Sequence, residues 1–133
     1  MYKLQNFNDV IAVLSGLNTI PIYRLKKTWA AVSKEMMAKF RDLEAKMTPE
    51  SNYKVYRAIE VNAKGDMMPF FALYMKDLTF MNDGMQTWLP GDIVNFEKNR
   101  SVMGKIMAIR VSQQSKYEFE GLDKGKKLVV NEV

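Results

Sequence analysis

The 133-residue chain contains no cysteine and no histidine. Without cysteine it has no disulfide, no thiolate nucleophile and no cysteine-type zinc site, and a reducing, cytoplasmic setting is expected. Without histidine it lacks an imidazole base and any histidine-ligated metal, which removes most hydrolase designs. Carboxylates could still do acid–base work, so composition makes an enzyme the weaker reading without excluding one. No Gly-rich phosphate loop is present, so nothing suggests that the chain itself binds nucleotide. The longest uncharged apolar run, Met67–Met75, is far short of the roughly 20 residues a membrane-spanning helix needs. Residues Met1–Gln5 lack the apolar stretch of a signal peptide. A soluble protein without direct membrane insertion is expected. Charge of one sign is also scarce: the net charge is +5, and Arg24, Lys26 and Lys27 form only a short local basic cluster. A nucleic-acid binder calls for a denser basic stripe with interleaved aromatics, so no nucleic-acid partner is expected and a general basic-surface binder ranks last.

What is present reads as helix nearly throughout. The apolar fraction of 47% and charged fraction of 26% are those of a globular domain, and the length suits one domain or part of one. Val10, Ile11, Val13, Leu14 and Leu17 follow helical spacing, with Asn6 or Asn8 as cap and Gly16-Leu17-Asn18 as stop. Pro21 opens a new element with Ile22, Leu25 and Trp29 turned inward. Ser33 caps a helix with Met36, Met37, Phe40, Leu43 and Met47 on one face, which Thr48-Pro49 ends. A shorter helix runs from about Asn52 to Val61, and 62–66 form a loop. Two helices then follow, Pro69–Asp83 and Phe96–Gln113. Pro69 suits a first turn, Gly84 a C-terminal stop, and Val102, Met103, Ile106, Met107 and Ile109 form the second helix's core side. Joined by a short loop, the pair forms an αα-hairpin over about 67–113. The fold class expected is all-α, a helical bundle with a protruding hairpin. Residues 1–115 form the domain and 116–133 a tail, left open between disorder and a short added strand or helix.

Five strings in order carry a family resemblance: Asn6-Phe7-Asn8 with Leu14–Asn18, Pro21–Trp29, Asn52–Arg57, Lys76-Asp77-Leu78-Thr79-Phe80, and Val94-Asn95-Phe96-Glu97-Lys98. Together, over about residues 4–113, they resemble the C-terminal portion of the catalytic domain of Ras-type guanine-nucleotide exchange factors (RasGEF). The resemblance implies a Ras-family small GTPase as partner, a role in signal transduction, no cofactor, no metal of its own and no bond chemistry. In that family the hairpin wedges into the GTPase, displaces its first switch segment and disturbs its magnesium and phosphate sites, while the helical core grips the second switch. Carried over by position, Asp83 stands where the family has a glutamate near magnesium and phosphate, and Thr79 is the neighbouring residue that crowds the metal. Lys76 and Phe80 share the exposed part of that helix, and Asn18, Tyr23 and Tyr53 match contacts to the second switch. Read without the resemblance, Tyr23 and Tyr53 are equally half-buried packing residues, and Phe70, Phe71 and Tyr74 are core that holds the hairpin.

Three departures matter: Asp83 is one methylene shorter than glutamate, Met85 replaces a common asparagine, and Asn82 replaces a residue that is often histidine or acidic. The family's domain is also much longer, its missing N-terminal helices normally brace the hairpin, and the chain reads as a fragment. An alternative is therefore a non-catalytic GTPase-binding or helical interaction module with impaired exchange activity. Apolar faces left open on such a fragment favour a second chain or self-association, and 11 methionines make those faces adaptable. A dimer or a marginal monomer with a broad unfolding transition is expected. Light scattering over a concentration series checks this, and a stable monomer with sharp two-state melting would show the chain to be self-sufficient.

Overall fold

The computed structural model describes residues 1–114. Among them a 3₁₀ turn at Tyr2–Leu4 leads into seven helices: α1 (Phe7–Leu17), α2 (Ile20–Tyr23), α3 (Lys26–Ala31), α4 (Lys34–Lys46), α5 (Glu50–Asn62), α6 (Phe71–Gly84) and α7 (Phe96–Gln113). Two two-residue strands, β1 (Trp88–Leu89) and β2 (Ile93–Val94), pair antiparallel between α6 and α7. The class is all-α. The tail expectation for 116–133 lies outside the described residues.

Local chemistry explains the boundaries. Asn6, not Asn8, caps α1, its side chain accepting from the Asp9 N–H at 3.0 Å. Ser33 caps α4 through the Met36 N–H. Asn95 caps α7 through the Lys98 N–H at 3.1 Å. Pro69 differs from its expected place: it lies buried in the segment before α6, whose N-cap is Phe70. Gly84 is the last residue of α6 and not a left-handed stop; Met85 follows it in extended conformation, φ −117° and ψ 126°. The connection carries its left-handed residues further on, at Gly91 and Asp92 in the turn between the strands.

The start of α5 is unusual. Ser51, Asn52 and Tyr53 are all left-handed, with φ of 49°, 57° and 60°, a conformation that costs a non-glycine residue about 1–2 kcal/mol. Bonds to neighbours hold the segment: Arg57 Nε donates to the Asn52 carbonyl at 2.9 Å, and Lys76 Nζ donates to Asn52 Oδ1 at 3.2 Å.

The core is compact and unites distant segments. Phe7, Val10 and Leu14 of α1 meet Met47, Tyr56 and Leu73, with Tyr2, Phe40, Leu43, Tyr53 and Phe70 packed around them. Aromatic rings meet edge to face at Phe7–Tyr56 (5.4 Å) and Tyr53–Phe70 (5.4 Å). The N-terminal segment is strapped to the base of the hairpin: Phe7 N–H donates to the Met68 carbonyl, and Met68 N–H to that of Gln5. The Gln5 amide also reaches the Lys64 and Asp66 carbonyls.

Among the described residues the hairpin stands off this core, since only Leu73 of α6 and no residue of α7 belongs to the buried cluster. Among the described residues the core side expected for α7 is therefore largely uncovered. Met103, Ile106 and Met107 are exposed and Val102 and Ile109 half-buried, because α7 packs chiefly against one helix, α6. Phe71 is likewise exposed, whereas Tyr74 is buried as expected. Ile22 and Leu25 face solvent and only Trp29 of that trio turns inward. No described helix is long and apolar enough to cross a membrane.

Tyr56, fully buried, joins α5 to the hairpin base: its hydroxyl donates to Glu60 at 2.7 Å and accepts from the Phe70 N–H at 2.8 Å. Tyr56→Phe removes both bonds and leaves the amide unsatisfied. We expect a loss of about 1–3 kcal/mol, read as a lower midpoint in urea unfolding with unchanged slope.

Candidate functional site

Helical geometry sorts the hairpin residues into two faces. Lys76, Thr79, Phe80 and Asp83 fall at i, i+3, i+4 and i+7, one continuous stripe along α6, and all four are exposed. Tyr74, Asp77 and Met81 lie on the opposite side, toward the body and α7. Most contacts of the stripe are local, apart from the bond of Lys76 to Asn52. Thr79 Oγ1 donates to the Met75 carbonyl at 3.0 Å, the Lys76 ammonium lies 5.7 Å from the Phe80 ring centroid, and Asp83 accepts from the Asn82 amide at 3.2 Å. Phe80 is 65% exposed, a large apolar side chain in water with no packing reason to be there. At 1.5 Å per residue, Asp83 stands about 10 Å beyond Lys76 along the helix.

The other three expected site residues lie on the helical body. Trp29 stacks on Phe40 at 5.4 Å and donates its indole N–H to the Ile22 carbonyl. This pair floors a groove of about 350 Å³ whose rim includes Asn18, Tyr23, Lys26 and Arg41. An adjoining groove of about 390 Å³ runs past Leu14, Asn18, Met47 and Tyr53. The two share Asn18 and Glu44, joined by a 2.8 Å hydrogen bond from the Asn18 amide to Glu44 Oε1. Tyr23 is 70% exposed and does not serve the core. Tyr53 is half-buried against Phe70 and combines packing with groove lining. The body face and the stripe meet where Lys76 bonds Asn52, the residue before Tyr53.

Two supports for this site were not singled out from the sequence. The first is Asp77. Arg57 grips it with two hydrogen bonds, Nη1 to Oδ2 at 2.8 Å and Nη2 to Oδ1 at 2.7 Å, while Lys105 Nζ reaches Oδ2 at 2.8 Å. One carboxylate thus ties α5, α6 and α7, with its side chain only 11% exposed. Lys105 also sits 4.8 Å from the Tyr74 ring centroid. Burial pushes the Tyr56 and Tyr74 phenols far above their ordinary range, reinforced by Glu60, so both stay protonated at neutral pH. The second support is Lys98, a buried charged residue whose ammonium donates to the Asn82 carbonyl at 2.9 Å and to Thr87 Oγ1 at 3.0 Å. An acid inside the apolar helix was the available signal for Asp77, since a buried charge requires a partner. Lys98 gave none, because its burial depends on the fold of the turn above it. Among the described residues no cluster of acidic side chains could hold a metal ion.

An all-α domain with a helical hairpin, whose exposed stripe continues onto a grooved body, defines the class of protein. The chain matches the RasGEF domain family over residues 1–100, and it belongs to that family. It is 38% identical over 117 residues, 88% of its length, to Ras guanine nucleotide exchange factor Y of Dictyostelium discoideum. It is 36% identical over 117 residues to Ras-specific guanine nucleotide-releasing factor 2 of Mus musculus, again 88% of its length, and 37% identical over 130 residues, 90% of its length, to Ras-GEF domain-containing family member 1B of Bos taurus. The chain spans 8%, 10% and 27% of these relatives' lengths respectively.

The Asp77 clamp gives the domain an acid dependence. Hydrogen bonds from Arg57, followed by those from Lys105 and the two positive charges, hold the Asp77 carboxyl below its ordinary 3.8, against the opposing effect of burial. The unfolded chain then binds the proton more tightly than the folded one. The stabilisation is complete above about pH 4 and disappears as pH falls through the lowered folded value. Asp77→Asn is expected to cost about 2–3 kcal/mol at pH 7 and to flatten the acid limb of stability. Urea unfolding of both proteins between pH 7 and pH 3 measures this; parallel pH curves would remove Asp77 as the cause.

Proposed function

We propose that this domain is a guanine-nucleotide exchange factor for a Ras-family small GTPase, acting in the cytoplasm with the α6–α7 hairpin as its wedge. The observation that carries this reading is the stripe of Lys76, Thr79, Phe80 and Asp83, exposed on a helix that projects from the core. These four side chains take no part in the buried cluster, so their arrangement serves a surface outside the chain. Membership of the RasGEF family, with relatives named as Ras exchange factors, supports the choice of partner.

The mechanism is differential binding. The Asn18, Tyr23 and Tyr53 face grips the second switch, while the stripe displaces the first. Asp83 brings a negative charge toward the magnesium and phosphate groups of the GTPase and competes with the nucleotide for them. Thr79 crowds the same place one turn earlier, and Phe80 and Lys76 contribute affinity. No bond is made or broken. Each tenfold in release rate needs about 1.4 kcal/mol of preference for the nucleotide-free GTPase, within reach of one acid and a few apolar contacts. The short Asp83 side chain and the apolar Met85 favour a second reading, in which the domain binds the GTPase but releases nucleotide slowly.

Fluorescent-nucleotide release from a panel of Ras, Rap and Ral-type GTPases tests the proposal. Asp83→Asn should lower the maximal release rate about tenfold or more while binding to nucleotide-free GTPase persists. Asp83→Glu should equal or exceed the starting rate. Tyr23→Ala should weaken binding about tenfold with stability changed by no more than about 0.5 kcal/mol, whereas Tyr53→Ala also lowers stability because it packs on Phe70. Release at background level, not raised by Asp83→Glu with Met85→Asn, would leave only the binding module.

A further inference from the structure

Lys98 is 6% exposed and, among the described residues, forms no ion pair. Its ammonium is satisfied by two neutral oxygens, the Asn82 carbonyl and the Thr87 hydroxyl. A lone buried cation is a poor source of stability, since an apolar side chain of similar volume is commonly as good. What the charge can do is terminate a helix. The last carbonyls of α6 have no intrahelical partner, and a lysine reaching them satisfies both the hydrogen bond and the negative end of the dipole. The chain turns extended at Met85, and Lys98 from the next helix supplies the bond.

The same short segment makes two more bonds to the turn. Asn95 donates its side-chain amide to the Gln86 carbonyl at 2.8 Å and its backbone N–H to that of Thr87 at 2.9 Å. Asp83 therefore lies between anchored points, Asn82 on one side and Gln86–Thr87 on the other. A helix's last turn frays when nothing holds it, and here that turn carries the acid at the hairpin's working end.

We propose that Lys98 is a positioning residue of the exchange reaction: its ammonium caps α6 and fixes the turn that presents Asp83 to the GTPase. This rests on the exchange reading above. Misplacing a reacting or competing group by about 1 Å can cost a hundredfold in rate, so precision at this turn governs the maximal rate more than affinity.

The test is a saturation series of fluorescent-nucleotide release from a responsive Ras-type GTPase, with hydrogen–deuterium exchange followed at the amides of 82–87. Lys98→Met should lower the maximal rate about tenfold to a hundredfold, shift the half-saturating concentration by less than about threefold, and speed exchange at 82–87. Lys98→Arg, which can still donate to both oxygens, should recover most of the rate. If Lys98→Met does not fold, Thr87→Val, which removes one acceptor at nearly constant shape, should lower the maximal rate in the same direction. A wild-type protein that releases nucleotide while Lys98→Met, or Thr87→Val in its place, leaves the maximal rate unchanged overturns the positioning role alone. So does a loss confined to affinity, or an arginine variant as slow as the methionine one. A wild-type protein without release activity overturns the exchange reading and this role with it.

Discussion

The geometry of the hairpin depends on one carboxylate. Asp77 is the point where α5, α6 and α7 are held together by charge: the Arg57 guanidinium grips both of its oxygens and the Lys105 ammonium one of them. Among the described residues the buried cluster takes in α6 only at Leu73, so this apolar packing by itself leaves the hairpin's direction weakly specified. A bidentate contact of planar groups fixes angle as well as distance. Arg57 reaches further, since its Nε holds the carbonyl of Asn52 in the left-handed turn. The orientation of the hairpin and the conformation beside Tyr53 therefore share a side chain.

This arrangement suits a protein that works by shape and charge. A projecting hairpin with little apolar contact with its own core needs other contacts to hold its direction. Ionic and hydrogen-bonded anchors at both ends meet that need: Asp77 at the base, Asn95 and Lys98 at the tip. Between them Thr79, Phe80 and Asp83 are tied only to neighbours on their own helix, while Lys76 also bonds Asn52. Phe80 can be exposed and Asp83 can occupy an electrostatically poor helix end because the stability of the hairpin does not draw on either.

Much of this was legible in the sequence, for identifiable reasons. Helix starts at Asn6, Ser33 and Asn95 are local events, each a side-chain oxygen bonding an amide three residues on, and local events follow from sequence spacing. The stripe was legible for the same reason, because helical periodicity alone places 76, 79, 80 and 83 on one face. The left-handed run at 51–53 was not: residues with ordinary helical preferences are held there by Arg57 and Lys76 from elsewhere in the chain. Tyr23 and Tyr53, an even choice between surface and packing on sequence alone, were separated by neighbours distant in sequence, with Tyr53 drawn inward by Phe70. Gly84 looked like a stop because glycine usually is one, yet the bond that closes the helix comes from Lys98, fourteen residues on.

The sequence by itself determined the all-α class, the order of its helices, the hairpin and the family strings that name its relatives, since each is written in periodicity, caps and short motifs. Only the tertiary structure decided which side of α7 is open, that Asn18 bridges two grooves through Glu44, and that half-buried Asp77 and buried Lys98 are charges with structural partners. Those outcomes depend on which groups from different helices come within about 3 Å of one another, the range over which a hydrogen bond acts. No pattern along a single helix contains that information.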